Sequence, residues 1–393
     1  MTADFDILVA GAGPAGLAAA CLFAAQGRRV AVVAPSGNAG YDPRTMALMQ
    51  PQVRILERIG LWPAALREAS EALRRLRMVD DTGSLLGAPT LTFDPAEIGE
   101  QLFGWNIPLA RLVPALAERA EALGVTRIDA EADACRPAPG AIEVSAGSDR
   151  YIARLAIAAD GRKSVLRDAA SIRCERWTYE QSALATSFSH SGAHDGVSTE
   201  YHRGAGPCTT VPLPGNHSAL VWLERPARID DLMALDDNDL AAEIQIATHG
   251  ELGRVSDIGP RRAFAMEGLS ARSYAGSRTM LIGETAHVFP PIGAQGLNMS
   301  LRDAAAAADV TAGTADPGAA DLLHEYDAAR RRDIAPRQTI IHLMNRSLLA
   351  GLMPLESGRA IGLDVLANFG PLRRYVMRRG LGPASAAAAK MAV

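Results

Sequence analysis

Apolar residues near the N-terminus gather into short runs. Phe5 to Ala10 reads as a buried strand, Leu17 to Ala25 as a helix ending near Gly27, and Arg29 to Val33 as a second strand. Two further apolar strands lie downstream, Leu155 to Ala159 and Met280 to Ile282. The first runs into Asp160-Gly161 and the second into Gly283-Glu284. Between about 176 and 266 the pattern changes to alternation broken by Gly and Pro, as in Ser218-Ala219-Leu220-Val221-Trp222-Leu223, which predicts an antiparallel sheet. A helix is expected from about Met299 to Val310. From about 319 onward Leu322, Leu323, Tyr326 and Ala329 share one helical face. The alanine-rich stretch 384–393 is low in complexity and is expected to fray.

The first strand and helix are joined by Gly11-Ala12-Gly13-Pro14-Ala15-Gly16. Strand, GxGxxG, helix and strand within about 30 residues form the dinucleotide-binding unit. Gly11 permits the tight turn, Gly13 lets backbone approach a pyrophosphate, and Gly16 lets the helix pack on the strand. The helix N-terminus then offers N–H groups and a positive dipole end to phosphate. An acidic residue to bind ribose is expected at the end of the second strand, but Val33-Ala34-Pro35-Ser36 stands there. Ser36, Asn38 or backbone must hold the ribose instead. The strand, Pro/Gly-rich loop (Pro290 to Asn298) and helix that follow Gly283-Glu284 make a second backbone-rich site for anions and dipoles.

Composition narrows the class. The chain has 393 residues, 48% hydrophobic and 21% charged, which excludes a wholly disordered protein. A formal net charge of -4 argues against a general nucleic-acid binder. No run of 18 or more apolar residues predicts a transmembrane helix, and the N-terminus does not read as a signal peptide. Cys21, Cys135, Cys174 and Cys208 are scattered without a CxxC pair, so neither a metal site nor a disulfide framework is expected, and a reducing cytosol fits.

In this order, GxGxxG, Asp160-Gly161, and Gly283-Glu284 with the Pro290 to Asn298 loop resemble the FAD-dependent aromatic hydroxylases of the para-hydroxybenzoate-hydroxylase-like fold. The stretches Tyr41 to Leu48, Leu56 to Trp62, Gly206 to Pro214, Leu220-Val221-Trp222, Leu301-Arg302-Asp303 and Pro371 to Gly382 narrow the resemblance to the ubiquinone-biosynthesis ring hydroxylases. It covers nearly the whole chain. The fold it implies is α/β: a Rossmann-like FAD domain from 1–75, 105–175 and 267–330, an inserted antiparallel substrate domain from 76–104 and 176–266, and a helical region over 331–393.

The resemblance also implies roles. Gly11, Gly13, Pro14, Ala15 and Gly16 would hold the ADP part, with Asp160 and Gly161 near the pyrophosphate. Gly283 and Glu284 would bind the ribityl chain; Glu284 departs from the family's Asp yet keeps a carboxylate. Pro291, Gly293, Ala294, Gln295, Gly296, Leu297 and Asn298 would lie along the isoalloxazine. Arg44 is assigned to FAD contact, and Arg111 to a phosphate where relatives often carry an Asn-Arg pair near Leu109-Ala110. Trp222, Phe289 and Pro290 are expected to line the substrate cavity. His287 is expected to brace the flavin loop, and no side chain reads as a catalytic acid or base.

The function implied is ring hydroxylation of a polyprenylated phenol or quinone precursor, with NAD(P)H and dioxygen, through a flavin C4a-hydroperoxide. The alternatives are a hydroxylase of a soluble phenol or polyketide, and an inactive FAD-binding scaffold in a biosynthetic assembly. The expected location is cytoplasmic, peripheral on the inner membrane. The segment from Pro371 to Val393, with Arg373, Arg374, Arg378, Arg379 and Lys390 beside Leu372, Tyr375 and Val376, is expected to meet a membrane surface or a membrane-bound partner.

Overall fold

Val30–Val33 and Asp149–Ala158 flank Phe5–Ala10 as parallel neighbours, which puts the first strand at the middle of a sheet. Thr126–Ile128 and Thr279–Leu281 extend the parallel part on either side. This is the computed structural model of the chain, and it describes residues 3–36, 42–83, 87–349 and 362–381. Asn38, Tyr41, Gly382, Lys390 and the 384–393 stretch lie outside the described residues. Strands covered on both faces read as unbroken apolar runs; Ile7, Leu8, Val9 and Ala10 are all fully buried.

The helix Pro14–Ala25 packs on this sheet between the helices Leu109–Ala122 and Gln295–Val310. Its apolar side chains surround it, because it is enclosed rather than amphipathic. Gly16, Ala18, Ala19 and Ala20 allow close approach, while Leu17, Leu22 and Phe23 each contribute roughly 1.5–3 kcal/mol by burial.

A second sheet runs in the order 287–288, 262–271, 174–190, 217–224, 206–213, 197–203, 75–80 and 91–93. Its neighbours are antiparallel except Val197–Arg203 beside Arg75–Asp80, which are parallel. Leu184 lies opposite Trp222, so both point to one face. That face is covered by the helices Pro226–Ala234 and Asp237–Ala247, whose Ile229, Leu232, Leu240 and Ile244 pack on Leu184, Phe188, Leu220 and Trp222. The sequence reading expected sheet throughout this region. The helix signals it passed over are local: Pro226 in a first turn, and Asp236 accepting from the Asn238 and Asp239 N–H groups as a cap.

The opposite face carries Ala183, Val221, Leu223, Phe264 and Met266, with Tyr179 beside them. A small antiparallel sheet of Thr45–Met49, Gly104–Pro108 and Glu71–Leu73 joins the two halves. Asn106 Nδ2 donates to Pro212 O (3.1 Å), tying that sheet to the second one. The helix Ala320–Leu349 spans both: Tyr326 donates to Leu281 O, Gln338 to Leu269 O, and Asn345 to Gln181 Oε1.

Candidate functional site

The turns that the sequence separates by more than a hundred residues meet at the carboxyl ends of adjacent parallel strands. A Cβ at Gly11, where φ is +108°, would collide with the Ala159 carbonyl, so only glycine fits there. Gly161 N–H donates to Thr285 Oγ1 (3.2 Å), which joins the Asp160 turn to the Gly283 turn. A Cβ on Gly283 would lie 3.3 Å from Ala15 Cβ and 3.2 Å from Ser300 Oγ. The starts of the helices Pro14–Ala25 and Gln295–Val310 therefore converge beside it.

Both helices begin without a side-chain cap, and neither has an acidic residue in its first turn. Their N-terminal N–H groups are left for another acceptor, and both dipoles favour negative charge at this point. A Cβ on Gly13, Gly161, Gly293 or Gly296 would meet nothing within 4 Å. The cradle is thus open backbone in front of two positive helix ends, which fits the phosphates of a dinucleotide. The second helix starts at Gln295, four residues earlier than the sequence pattern suggests, directly after Ala294 in the left-handed region.

Several side chains singled out in the sequence are engaged with the protein. Asp160 accepts from Ser164 Oγ (2.6 Å) and from the Val165 and Leu166 N–H groups, so its carboxylate caps the short helix Val165–Ala169. Glu284 is half exposed and pairs with Arg162 (3.0 Å), which also reaches Glu267 (3.1 Å). Arg44 forks onto Asp42 and lies 5.0 Å over the Phe264 ring. Burial alone would raise the Asp42 carboxyl, but Arg44 outweighs it and holds the group below the usual range. Arg111 is exposed on the helix Leu109–Ala122, whose first N–H donates to Arg44 O (3.0 Å), so both cations lie along one edge.

Asn298 is a tether. It accepts from Met49 N–H (2.9 Å) and donates to Ala47 O (2.7 Å) and Ala294 O (2.6 Å), fixing the helix start against Thr45–Met49. Pro291, Gly293 and Gly296 are exposed, and Ala294, Gln295 and Leu297 partly so. Phe289, partly buried, stacks on His287 (4.9 Å), with Pro290 buried next to it. Trp222 does not line this space. It is buried on the helix-covered face of the second sheet, one residue out of phase with Val221 and Leu223, which face the other way.

Two acids for which the sequence pattern predicts no role stand at the site. Asp303 is fully buried and accepts from Gly283 N–H (2.9 Å), His287 Nε2 (2.7 Å) and Arg330 Nε (2.7 Å). Burial would raise its carboxyl; Arg330, His287 and the Gly283 N–H outweigh that and hold it low. Asp303 thus ties the Gly283 turn to His287, whose ring stacks on Phe289 at the start of the loop. Arg330 continues to Asp333, which also binds Arg302 and Arg337. The second acid, Asp129, follows Thr126–Ile128 and accepts from Ser36 N–H. It supplies, from the neighbouring strand, a carboxylate beside the end of the second strand.

On the face away from the two helices, the second sheet presents Val221, Leu223, Phe264 and Met266, with Arg44 over the Phe264 ring. The strand Arg262–Ala271 that carries Phe264 and Met266 pairs with His287–Val288, just before the Pro290 to Asn298 loop, and accepts from Gln338 of the helix Ala320–Leu349. There Tyr179 Oη lies 2.9 Å from His342 Nδ1. The arrangement is a polar backbone cradle adjoining an apolar sheet face, suited to a phosphate-bearing cofactor and an apolar ring.

Comparison with known proteins agrees with this geometry. Residues 4–338 match the family described as FAD binding domain. The chain is 32% identical over 391 residues to the ubiquinone hydroxylase UbiL of Rhodospirillum rubrum, covering 96% of this chain and 89% of that one. It is 28% identical to the 3-demethoxyubiquinol 3-hydroxylase of Escherichia coli, covering 96% and 98%. Among solved structures, p-nitrophenol 4-monooxygenase of Pseudomonas putida superposes with a TM-score of 0.76 at 18% identity, over 95% of this chain and 96% of that one, a likeness of fold.

Proposed function

The chain belongs to the FAD binding domain family, and from that premise we propose that it hydroxylates the aromatic ring of a polyprenylated phenol or quinone precursor in ubiquinone biosynthesis. In the balanced reaction one oxygen atom of dioxygen replaces a ring hydrogen as hydroxyl. The other leaves as water, formed with a hydride (two electrons and one hydrogen) from NAD(P)H and one further proton. The observation that carries the reading is the convergence of two uncapped helix N-termini and four open glycines beside an apolar sheet face.

FAD, when bound, supplies the electron and oxygen chemistry. Gly11, Gly13, Pro14, Ala15 and Gly16 would hold its ADP part, with Asp129 or Ser36 at the ribose. The backbone of Asp160 and Gly161 would lie by the pyrophosphate, Gly283 and Glu284 by the ribityl chain, and Pro291 to Asn298 along the ring system. Arg44 and Arg111 would neutralise phosphate at the outer edge. The N-terminus of Gln295–Val310 stabilises negative charge developing nearby through its dipole. Phe264, Met266 and Leu223 exclude water and position the ring.

The same reading places the protein at a membrane surface. No helix among the described residues is long and apolar enough to cross a membrane. Leu372, Tyr375 and Val376 are exposed on the helix Gly370–Leu381, beside Arg374, Arg378 and Arg379. Arg373 turns inward to Glu97 and does not contribute. Each cation adds on the order of 1 kcal/mol at an anionic surface. Co-sedimentation with vesicles should require anionic lipid and fail after charge reversal of those three arginines. The quinone lipids of a deletion strain test the function: an under-hydroxylated prenylated intermediate should accumulate, and an unchanged profile would count against the reading.

A further inference from the structure

Resting on that reading, one apolar cluster stands out because it is separate from the cores of both halves yet reaches the flavin loop. Ala47, Met49, Leu73, Phe103 and Met377 pack together, with Leu76, Phe93, Ile98 and Ala294 partly buried around them. Ala294 is the residue that ends the flavin loop, and Asn298 pins Ala47 and Met49 to it. Leu76 and Phe93 belong to the outermost strands of the second sheet. The cluster is therefore a seam running from the loop outward between the two halves.

Its outer wall is the helix Gly370–Leu381, which touches the seam with little apolar surface. Met377 is 5% exposed and is the helix's buried peg. The helix is otherwise held by polar contacts. Arg373 forks onto Glu97 (3.0 and 2.9 Å) and donates to Ala367 O (2.7 Å) and Leu366 O (3.0 Å). At the other end Arg337 donates to Arg379 O (2.8 Å) and Gly380 O (3.3 Å). A wall fastened by polar clips, with unbranched thioether side chains at Met49 and Met377, can repack around a flexible guest more readily than a wall of branched residues. Beyond the seam the helix exposes Leu372, Tyr375 and Val376, and Phe369 precedes it, so an apolar chain leaving the seam meets an apolar surface rather than water.

We propose that this seam takes the apolar tail of the substrate, with Met377 as the residue that sets how much tail it admits and the Arg373–Glu97 pair as the clip that positions the wall. The tail would run under the C-terminal helix while the ring reaches the sheet face beside the flavin loop. Neither residue touches the ring, so both govern tail binding and not the hydroxylation step.

The test uses the FAD-loaded protein and a polyprenyl alcohol, which has a tail but no ring to hydroxylate. Calorimetry should show binding to the wild type, weakened roughly tenfold or more in Met377→Trp, where the added bulk fills the seam. Met377→Ala should retain binding. Glu97→Arg should weaken it, and the swapped pair Glu97→Arg with Arg373→Glu should restore it, an outcome that general destabilisation does not produce. FAD content should stay the same throughout, and a tail-less phenol should keep its KM in Met377→Trp. Absence of alcohol binding to the wild type, or equal binding to wild type and Met377→Trp, overturns the inference. Failure of the wild type to hydroxylate any phenol instead overturns the functional reading, and the alcohol titration reports on the seam independently.

Discussion

The cradle around Gly11, Gly161 and Gly283 and the seam under the C-terminal helix meet at Ala294 but are built from different materials. In the cradle, the polar side chains nearest the open space are turned back on the protein: Asp160 caps a helix, Asn298 tethers a strand, and Glu284 pairs with Arg162. What faces outward is N–H groups and absent side chains. The seam is lined by apolar side chains, Ala47, Met49, Leu73, Phe103 and Met377. Backbone cannot be exchanged by mutation, so a backbone site suits a ligand of fixed shape. Side chains can be exchanged without redrawing the fold, which suits a tail of variable length.

The sharpest way to break that comparison is to place the same side chain at two glycines of one turn. Gly11→Val should prevent folding into soluble protein: a branched residue at φ +108° carries strain of about 1–3 kcal/mol, and its Cβ must also displace the Ala159 carbonyl. A Cβ at Gly13 meets no protein atom within 4 Å, so Gly13→Val should fold with a melting temperature close to the wild type's, yet bind no FAD. Equal solubility and equal FAD content in both variants would undo the distinction between a structural and a ligand-facing glycine.

Next in size is Asp303→Ala, which takes from the buried Arg330 one of its two carboxylate partners, leaving Asp333, and takes from the Gly283 N–H its acceptor, and should cost about 3–5 kcal/mol. Asp303 also predicts a pH dependence. Its folded carboxyl is held below the unfolded value of about 3.9. The stability it contributes is therefore present above about pH 4 and is lost as pH falls through the lower folded value. Asp303→Asn should be less stable at neutral pH and lose less stability than the wild type between about pH 5 and 3. Parallel acid-unfolding curves for the two proteins would refute this.

The smallest expected effect on the fold is at Glu284. Its pair with Arg162 is half exposed, so Glu284→Ala should change apoprotein stability by no more than about 1 kcal/mol. FAD affinity should nevertheless fall by about 1.5–3 kcal/mol if the carboxylate accepts a ribityl hydroxyl, with Glu284→Asp less affected. Loss of stability without loss of affinity would reduce Glu284 to a surface ion pair.

What the sequence made legible was local. Strand, glycine turn and helix follow one another within 25 residues, so Gly11 to Gly16 could be read directly. The inserted sheet showed in its alternation, but the helices over 226–247 did not, although Pro226 and Asp236 mark their starts. Trp222 was misplaced because period-two alternation says that neighbours face opposite ways and not which face is covered. Asp303 went without a role because its partners at 283, 287 and 330 are assembled by packing. A signal existed in Arg302-Asp303, a charged pair between the buried Met299 to Leu301 and the largely buried Ala304 to Ala308. Likewise Asp129 comes from a neighbouring strand, a place that a search along the second strand does not reach.

The central claim is that this cradle and sheet face together hydroxylate a prenylated ring. The direct measurement incubates the FAD-loaded protein with NAD(P)H, a polyprenylated phenol and isotopically labelled dioxygen, and weighs the product by mass spectrometry. The account predicts one labelled oxygen per ring, formed in step with substrate-dependent NAD(P)H oxidation. NAD(P)H consumption with no labelled ring product, or a hydroxyl oxygen derived from water, would contradict it.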